Sequence, residues 1–280
     1  MADGKPVPEY LVSQFVSLTC AMAWVLLTVP SVAVYISYLQ RFLKKPCAKH
    51  VRDANRVLKY LRSKQHRIVY RRITGEIKLV AVSDSAFSAG EQDGLATRGA
   101  FLMMVGTDGI RSPGGSAHLI DWISKKQAHV CRSTLSAELF AALDAVNAAM
   151  KLNLVITELY WGPTSAAKLG AAQEAGELPV GLHLCLDARS VVEAVASSGP
   201  AKASEAHLTI HLLKLREWLH RRIIAAVWWV DTRDMCSDGL TKGKIPRDAI
   251  TALAEQGVWK LVHEVRRVPL KDAQRETPRQ

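Results

Sequence analysis

The stretch Val130–Ala149, VCRSTLSAELFAALDAVNAA, limits the fold more than any other part of the chain, because it sets Glu138 on an apolar, Ala-rich helix. Leu135, Leu139, Val146 and the pair Phe140/Leu143 recur at helical spacing, with Ser133 and Thr134 where an N-cap belongs. Glu138 therefore falls one turn inside a helix whose apolar face must be buried. A carboxylate there calls for a cation, a metal ion or a set of hydrogen bonds. The plainer alternative is a glutamate at the helix edge facing water. Acids elsewhere in the chain decide between the two.

The chain can bury such a helix. Its 280 residues and 49% hydrophobic content are ample for one large domain or two small ones, and they exclude a disordered chain. The formal net charge of +11 is localised: Arg41–Arg72 holds 12 Lys/Arg and one acid, Asp53, while the remainder has 25 bases and 25 acids. Such a block fits a polyanion partner, nucleic acid or an anionic membrane surface. The five cysteines (20, 47, 131, 185 and 236) are far apart and form no C-x-x-C, so neither a disulfide framework nor a zinc knuckle is written here. An intracellular, reducing location, cytoplasm or nucleus, is expected. His207 and His211, spaced i,i+4 without an intervening glutamate in the metalloprotease pattern, read as helix-surface residues.

Along the chain, the run from Tyr10 to Gln40 carries no charge and is interrupted by Pro30. By hydropathy it is a candidate membrane span followed by the positive flank Arg41, Lys44 and Lys45. Two core helices broken at Pro30 fit better, because Val29 is pushed out of the helical region and seven Ser, Thr and Gln residues interrupt the run. Residues 48–63 then form an amphipathic helix. At about 100° per residue, Val51, Ala54, Val57, Leu58 and Leu61 share one arc, and Lys49, Arg52, Arg56, Lys59 and Arg62 share the other. Read as unneutralised, five cations on one face repel one another, and a phosphate backbone relieves that repulsion better than solvent does.

Runs 67–73 and 77–83 read as a hairpin or successive edge strands around Thr74-Gly75. Strands at 99–106, 117–124, 182–186 and 223–230 follow, with a Gly-rich loop at 89–99. Helices are expected at 133–150, 190–197, 204–221, 234–242 and 247–256, with loops at 162–180 and around Gly199-Pro200 and a polar tail loose after 270. This order gives an α/β fold, a mixed sheet with helices on its faces. Three segments are expected: a helical one over 1–66, the sheet domain over 67–243, and a C-terminal helix and tail over 244–280.

Asp84 closes the first long strand of this unit and Asp187 the fourth, while Asp238 lies in the short helix that follows the last strand, four residues after Asp234. The carboxyl ends of adjacent strands share an edge, so Asp84 and Asp187 could lie side by side, with Glu138 and Asp238 reaching in from helices. Taken singly, each aspartate is an ordinary loop or cap residue. Clustered, four carboxylates repel unless divalent cations hold them. Oxygen-only ligands favour Mg2+ or Mn2+. Two such ions roughly 3.5–4 Å apart activate a water and stabilise the leaving oxygen in phosphodiester cleavage.

At this point SDSAF (83–87), RGAFLMMVG (98–106), DWISKKQ (121–127), RSTLSAE (132–138), LCLDARSVV (184–192), AHLTIHLLKLREWL (206–219) and WVDTRDMCSDGLTK (229–242) resemble the RNase H domain at the end of copia-type retrotransposon Pol polyproteins. Upstream, FVSLTCAMAWVLLTVPSVAVYISYLQRF and AKHVRDANRVLKYL resemble the helical connection joining reverse transcriptase to that domain. The resemblance implies an RNase H-like five-stranded mixed sheet flanked by helices and preceded by connection helices. It also implies cleavage of the RNA strand of RNA–DNA hybrids with two Mg2+ or Mn2+ ions.

Asp84, Glu138, Asp187 and Asp238 would be the catalytic metal ligands. Asp84 would bridge both ions, Asp238 would help hold the one that activates water, and Glu138 and Asp187 would hold the one at the leaving oxygen. Asp234 would give outer-shell support. A polymerase domain would be supplied elsewhere. Departures are Ala86 where the family has a second Asp, and TVPS at 28–31 where it has T-R-P-D. No histidine lies between Trp229 and Asp238, and the chain carries no polymerase, protease or integrase motif. The alternatives are a catalytically silent, nucleic-acid-binding remnant and a protein anchored in a membrane by residues 10–40.

Overall fold

The structure, a computed structural model, describes residues 4–87, 95–107, 112–197 and 206–268. Three helices lead the chain: α1 (Glu9–Val25), α2 (Ala33–Gln40) and α3 (Ala48–Ser63). The uncharged run is divided where Pro30 requires it. Val29 is extended at φ −127° and ψ 82°, and Pro30 opens a single 3-10 turn before α2. Phe15, Met22, Val32, Ile36, Leu39, Ala54 and Val57 close these helices around their own apolar cluster. The unit is also tied to the rest: Ala33 joins a core of the sheet, Tyr35 Oη donates to the Gly243 carbonyl at 2.8 Å, and Arg41 donates to Thr97 Oγ1 at 2.7 Å.

The sheet is built from β1 (Glu76–Ala86), β2 (Thr97–Thr107) and β3 (Gly115–Lys126), and then, after α4 (Thr134–Trp161) and α5 (Ala166–Ala175), from β4 (Gly181–Leu186). Helices α6 (Arg189–Ala196) and α7 (Leu208–His220) lead to β5 (Ala226–Val230), and α8 (Asp238–Thr241) and α9 (Asp248–Gln256) to the short strands β6 (Val258–Trp259) and β7 (Val265–Arg267). The order is β6-β3-β2-β1-β4-β5-β7, with β1, β2 and β3 antiparallel and β4 and β5 parallel to β1.

The fold is thus the expected α/β class, a mixed sheet flanked by helices. Side chains alternate across it with the period of two that a pleated strand imposes. Leu79, Ala81, Leu182, Leu184 and Leu186 face Leu139, Val146, Leu212 and Leu215 of α4 and α7, whereas Val80, Val82, Phe101, Cys185 and Trp228 face Leu240, Ile250 and Leu253 of α8 and α9. Both faces being covered, β1 reads as a nearly unbroken apolar run.

Several elements differ from the expectation. Residues 67–73 are not a strand but an extended segment whose bonds go elsewhere, Val69 N to the Ala254 carbonyl at 2.8 Å and Tyr70 Oη to the Leu119 carbonyl at 3.1 Å. The edge of β3 is instead paired with β6. Helix α4 runs on to Trp161, with the Asn153 amide donating from Nδ2 to the Val180 carbonyl at 2.9 Å. The Gly/Pro-punctuated segment 162–180 contains α5, because Ser165 caps its start and Gly176, at φ 71°, ends it in the left-handed conformation. Beyond residue 243 the chain adds two edge strands, making seven where five were expected. The tail after 270, the loop around Gly199-Pro200 and most of the Gly-rich loop at 89–99 lie outside the described residues.

Among the described residues, α4 is the one helix long and apolar enough to cross a membrane, and it is the core helix of the sheet. On the N-terminal unit, Trp24 and Leu27 remain 76% and 68% exposed at i,i+3, an apolar patch that favours self-association. Replacing both by Ser is expected to lower the mass seen by sedimentation equilibrium without moving the unfolding midpoint. Ile36→Ala, at a fully buried position, should instead cost about 2–5 kcal/mol. A double variant that unfolds as readily as Ile36→Ala would contradict this division of roles.

Candidate active site

The carboxylates gather because of register. The parallel pairing of β1 and β4 runs through Val82↔Cys185, so Asp84 and Asp187, each two residues farther on, arrive level at the carboxyl edge. Two residues on is also the same face, the one shared by Val80 and Val82 and covered by α8. Glu138 comes from the other side, from the start of α4. That helix is fixed by reciprocal bonds between Ser133 and Ser136. One oxygen each from Asp84, Glu138 and Asp187 lies within 4.8 Å of the other two.

The set is under-compensated. Asp84 is 1% exposed and accepts a hydrogen bond from Thr241 Oγ1. Glu138 Oε1 accepts from Ser85 N at 3.4 Å, while its buried Oε2 has no partner. Asp187 Oδ2 accepts from Thr232 Oγ1 at 3.0 Å, and its carbonyl accepts from Trp229 Nε1 at 2.8 Å. Burial, reinforced by the Asp238 charge, pushes Asp84 up to about 8. Burial and then the charges of Asp84 and Asp187 push Glu138 up to about 9. Burial raises Asp187 as well. Two buried carboxylates, a half-buried third and one unpartnered carboxylate oxygen suit a hard divalent cation.

Asp238 stands beside this group, not within it. Its Oδ1 takes Lys242 Nζ at 2.6 Å, and the same ammonium lies 3.6 Å from Asp84 Oδ1. Burial works against the charge on Lys242, but Asp84 and Asp238 outweigh it and hold the ammonium pKa above its usual value. Asp234 is turned away, accepting from Val262 N and His263 N at 2.8 and 2.6 Å and pairing with His263 Nδ1 at 2.9 Å. It anchors the chain entering β7.

Residues not singled out from the sequence complete the site. Thr241 and Lys242 hold Asp84, and Gly99, opposite Asp84 in β2, lets α8 close down: a Cβ there would meet Thr241 Cγ2 at 2.7 Å and Leu240 Cβ at 2.8 Å. The i,i+4 spacing of Asp238 and Lys242 was the available signal.

No family model matches the chain. Two curated proteins are similar to it in part. A Retrovirus-related Pol polyprotein from transposon RE1 of Arabidopsis thaliana is 22% identical over 147 residues, 52% of this chain but 9% of that protein. Secreted RxLR effector protein 161 of Plasmopara viticola is 28% identical over 133 residues, 48% of this chain and 86% of that protein. Over half its length the chain is distantly related to a transposon Pol polyprotein. Among solved structures, LC11-RNase H1, isolated from compost by a metagenomic approach, aligns with 66% of this chain and 94% of its own at 14% identity and a TM-score of 0.32.

The cationic stripe of α3 is present, with a correction. His50, Ala54 and Val57 turn inward while Lys49, Arg56, Lys59 and Arg62 are exposed and Arg52 is half-buried. Asp53, four residues after Lys49 and three before Arg56, pairs with both, at 2.8 and 2.9 Å, and offsets one of the two charges. Reading the stripe as free of acids overlooked it. Between α2, α3 and α8 lies a cleft of about 900 Å3, lined by Tyr38, Tyr60, Arg41 and Lys244 among others, and by Thr241, which also bonds Asp84. The cleft therefore joins the basic helix to the carboxylate edge.

Because Asp84 and Glu138 have folded pKa values raised above the ordinary carboxylate range, the stability they contribute is complete below about pH 4 and is lost as pH rises through about 8 to 9. In chelator, the urea midpoint should fall from pH 5 to pH 9, and Glu138→Gln should flatten the fall. A midpoint that is level or rises over that window would contradict the burial of uncompensated acids.

Proposed function

We propose that the chain is an RNase H-type, metal-dependent endonuclease that cleaves the RNA strand of RNA–DNA hybrids, as a segment of a copia-like retrotransposon Pol. The observation that carries the reading is the convergence of Asp84, Glu138 and Asp187 at the carboxyl edge of a mixed sheet. Asp238 lies alongside, in the strand and helix order that the resemblance implies. The distant transposon relative supports it.

In this reading Asp84, Glu138 and Asp187 hold one divalent ion, and Asp84 with Asp238 a second. When bound, such ions supply a nucleophilic water and stabilise the leaving 3′ oxygen. The chain's own residues prepare that chemistry. Thr241 fixes the Asp84 carboxylate, Ser85 N orients Glu138, and Thr232 orients Asp187. The unpartnered Glu138 Oε2 is left free for a ligand.

The hybrid would be drawn by the exposed cations of α3 into the cleft beside Thr241. A polymerase domain outside this sequence would complete the assembly, in an intracellular, reducing compartment that suits five free cysteines.

Purified protein should cleave the RNA strand of a hybrid with Mg2+ or Mn2+, and chelator, Asp84→Asn or Glu138→Gln should reduce cleavage to background. Undiminished cleavage in excess chelator would refute the metal reading. Hybrid affinity should fall steeply with salt. Lys59→Gln and Arg62→Gln should each flatten the log–log slope by about 0.9, taking hybrids as similar to duplex DNA. Lys49→Gln should do less, because Asp53 already pairs with it. A slope unchanged in all three variants would make the stripe a solvated face.

A further inference from the structure

We infer that the Lys242 ammonium is a resident cation occupying the position between Asp84 and Asp238, so that the free protein takes up one divalent ion readily and a second only by expelling Lys242. The inference rests on the metal-dependent reading above.

The geometry separates two positions. Asp84, Glu138 and Asp187 converge within 4.8 Å with Glu138, 5% exposed, keeping one oxygen without a partner; nothing cationic from the chain is bonded to that oxygen. The other position is filled. Lys242 Nζ is 2.6 Å from Asp238 Oδ1 and 3.6 Å from Asp84 Oδ1, and Asp187 also acts on it. A divalent ion seated between Asp84 and Asp238 would need the same carboxylate lone pairs as the ammonium. The two cannot share them at these distances, because like charges a few ångströms apart at a part-buried site repel.

Charge balance points the same way. With all four carboxylates ionised by a bound ion, that ion and one ammonium leave a net of about one negative charge, and a second ion beside an unmoved Lys242 would overcharge the site. Lysine suits a replaceable occupant: it is a point charge on a flexible stem, and here it is 36% exposed at the side chain, free to swing outward. Its place is set by the i,i+4 spacing from Asp238 across α8 and by the approach of α8 that Gly99 permits. An anionic strand bound at the cleft would offer the displaced ammonium a phosphate partner, which would couple loading of the second ion to the arrival of substrate.

The test is counting Mn2+ on the full chain without nucleic acid, by the electron paramagnetic resonance signal of the free ion, with folding of each variant checked by circular dichroism. Wild type should bind one ion, and a second at least about tenfold more weakly, the scale of one like charge at this range. Lys242→Met should bind two of comparable affinity, and Lys242→Arg, which keeps the charge, should behave as wild type. Wild type binding two ions equally, without any variant, overturns the inference, as does Lys242→Met matching wild type or Lys242→Arg matching Lys242→Met. Hybrid cleavage separates this from the nuclease reading. One ion bound with no cleavage leaves the resident lysine standing and removes the nuclease. Two ions bound equally with cleavage does the reverse.

Discussion

Burying like charges at the edge of a sheet is the constraint on which the rest of this structure depends. Asp84 lies in β1, apolar on both faces from Leu79 to Val82, and its carboxylate is almost completely removed from water. Such a group destabilises the fold unless its neighbours are fixed. The neighbours are fixed accordingly: α8 packs close enough for Thr241 to reach Asp84 only because position 99 has no Cβ, and α4 begins at a doubly bonded Ser133/Ser136 cap that delivers Glu138 to the same edge. Compensation nevertheless stops short, and that shortfall, with Glu138 Oε2 left without a partner, is the ground for reading the edge as a cation site.

In the proposed function the same acids would repel a polyanionic substrate. The fold places charge of the other sign nearby. The segment 41–72, which contains α3, carries the chain's excess of bases, and Tyr35, Arg41 and Arg247 tie the N-terminal unit to the sheet domain beside α8. Arg247 stacks over Tyr35 at 4.7 Å and donates to the carbonyls of Gly239 and Lys242, so the helix bearing Asp238 is held by the unit that bears the cations. In the proposed function, attraction at α3 and chemistry at the carboxylate edge would in this way share one surface.

What the sequence revealed and what it hid follow from the length and periodicity of each element. Glu138 on its helix, and Asp84 and Asp187 at strand ends, were readable because the apolar runs around them are long enough to set register. Strands of two and three residues, such as Val258–Trp259 and Val265–Arg267, carry no period and were missed. Helix α5 lay hidden because the glycines and prolines of 162–180 read as loop punctuation, though Gly170 lies within the helix and Gly176 ends it. Residues 67–73 misled in the opposite sense: Ile68 and Val69 are half-buried and extended, which is what β-rich composition records, but their backbone bonds go to α9. At the site itself, spacing alone could pair Asp238 with Lys242, but it could not say that Asp84 would share that lysine, since the contact spans 158 positions of chain.

The most direct measurement is anomalous diffraction from crystals of the protein with an RNA–DNA hybrid and Mn2+, using the Asp187→Asn variant to slow turnover. The account predicts a manganese peak bounded by Asp84, Glu138 and residue 187, with a phosphate of the RNA strand over it. A manganese-free carboxylate edge, or the DNA strand in that place, would contradict it.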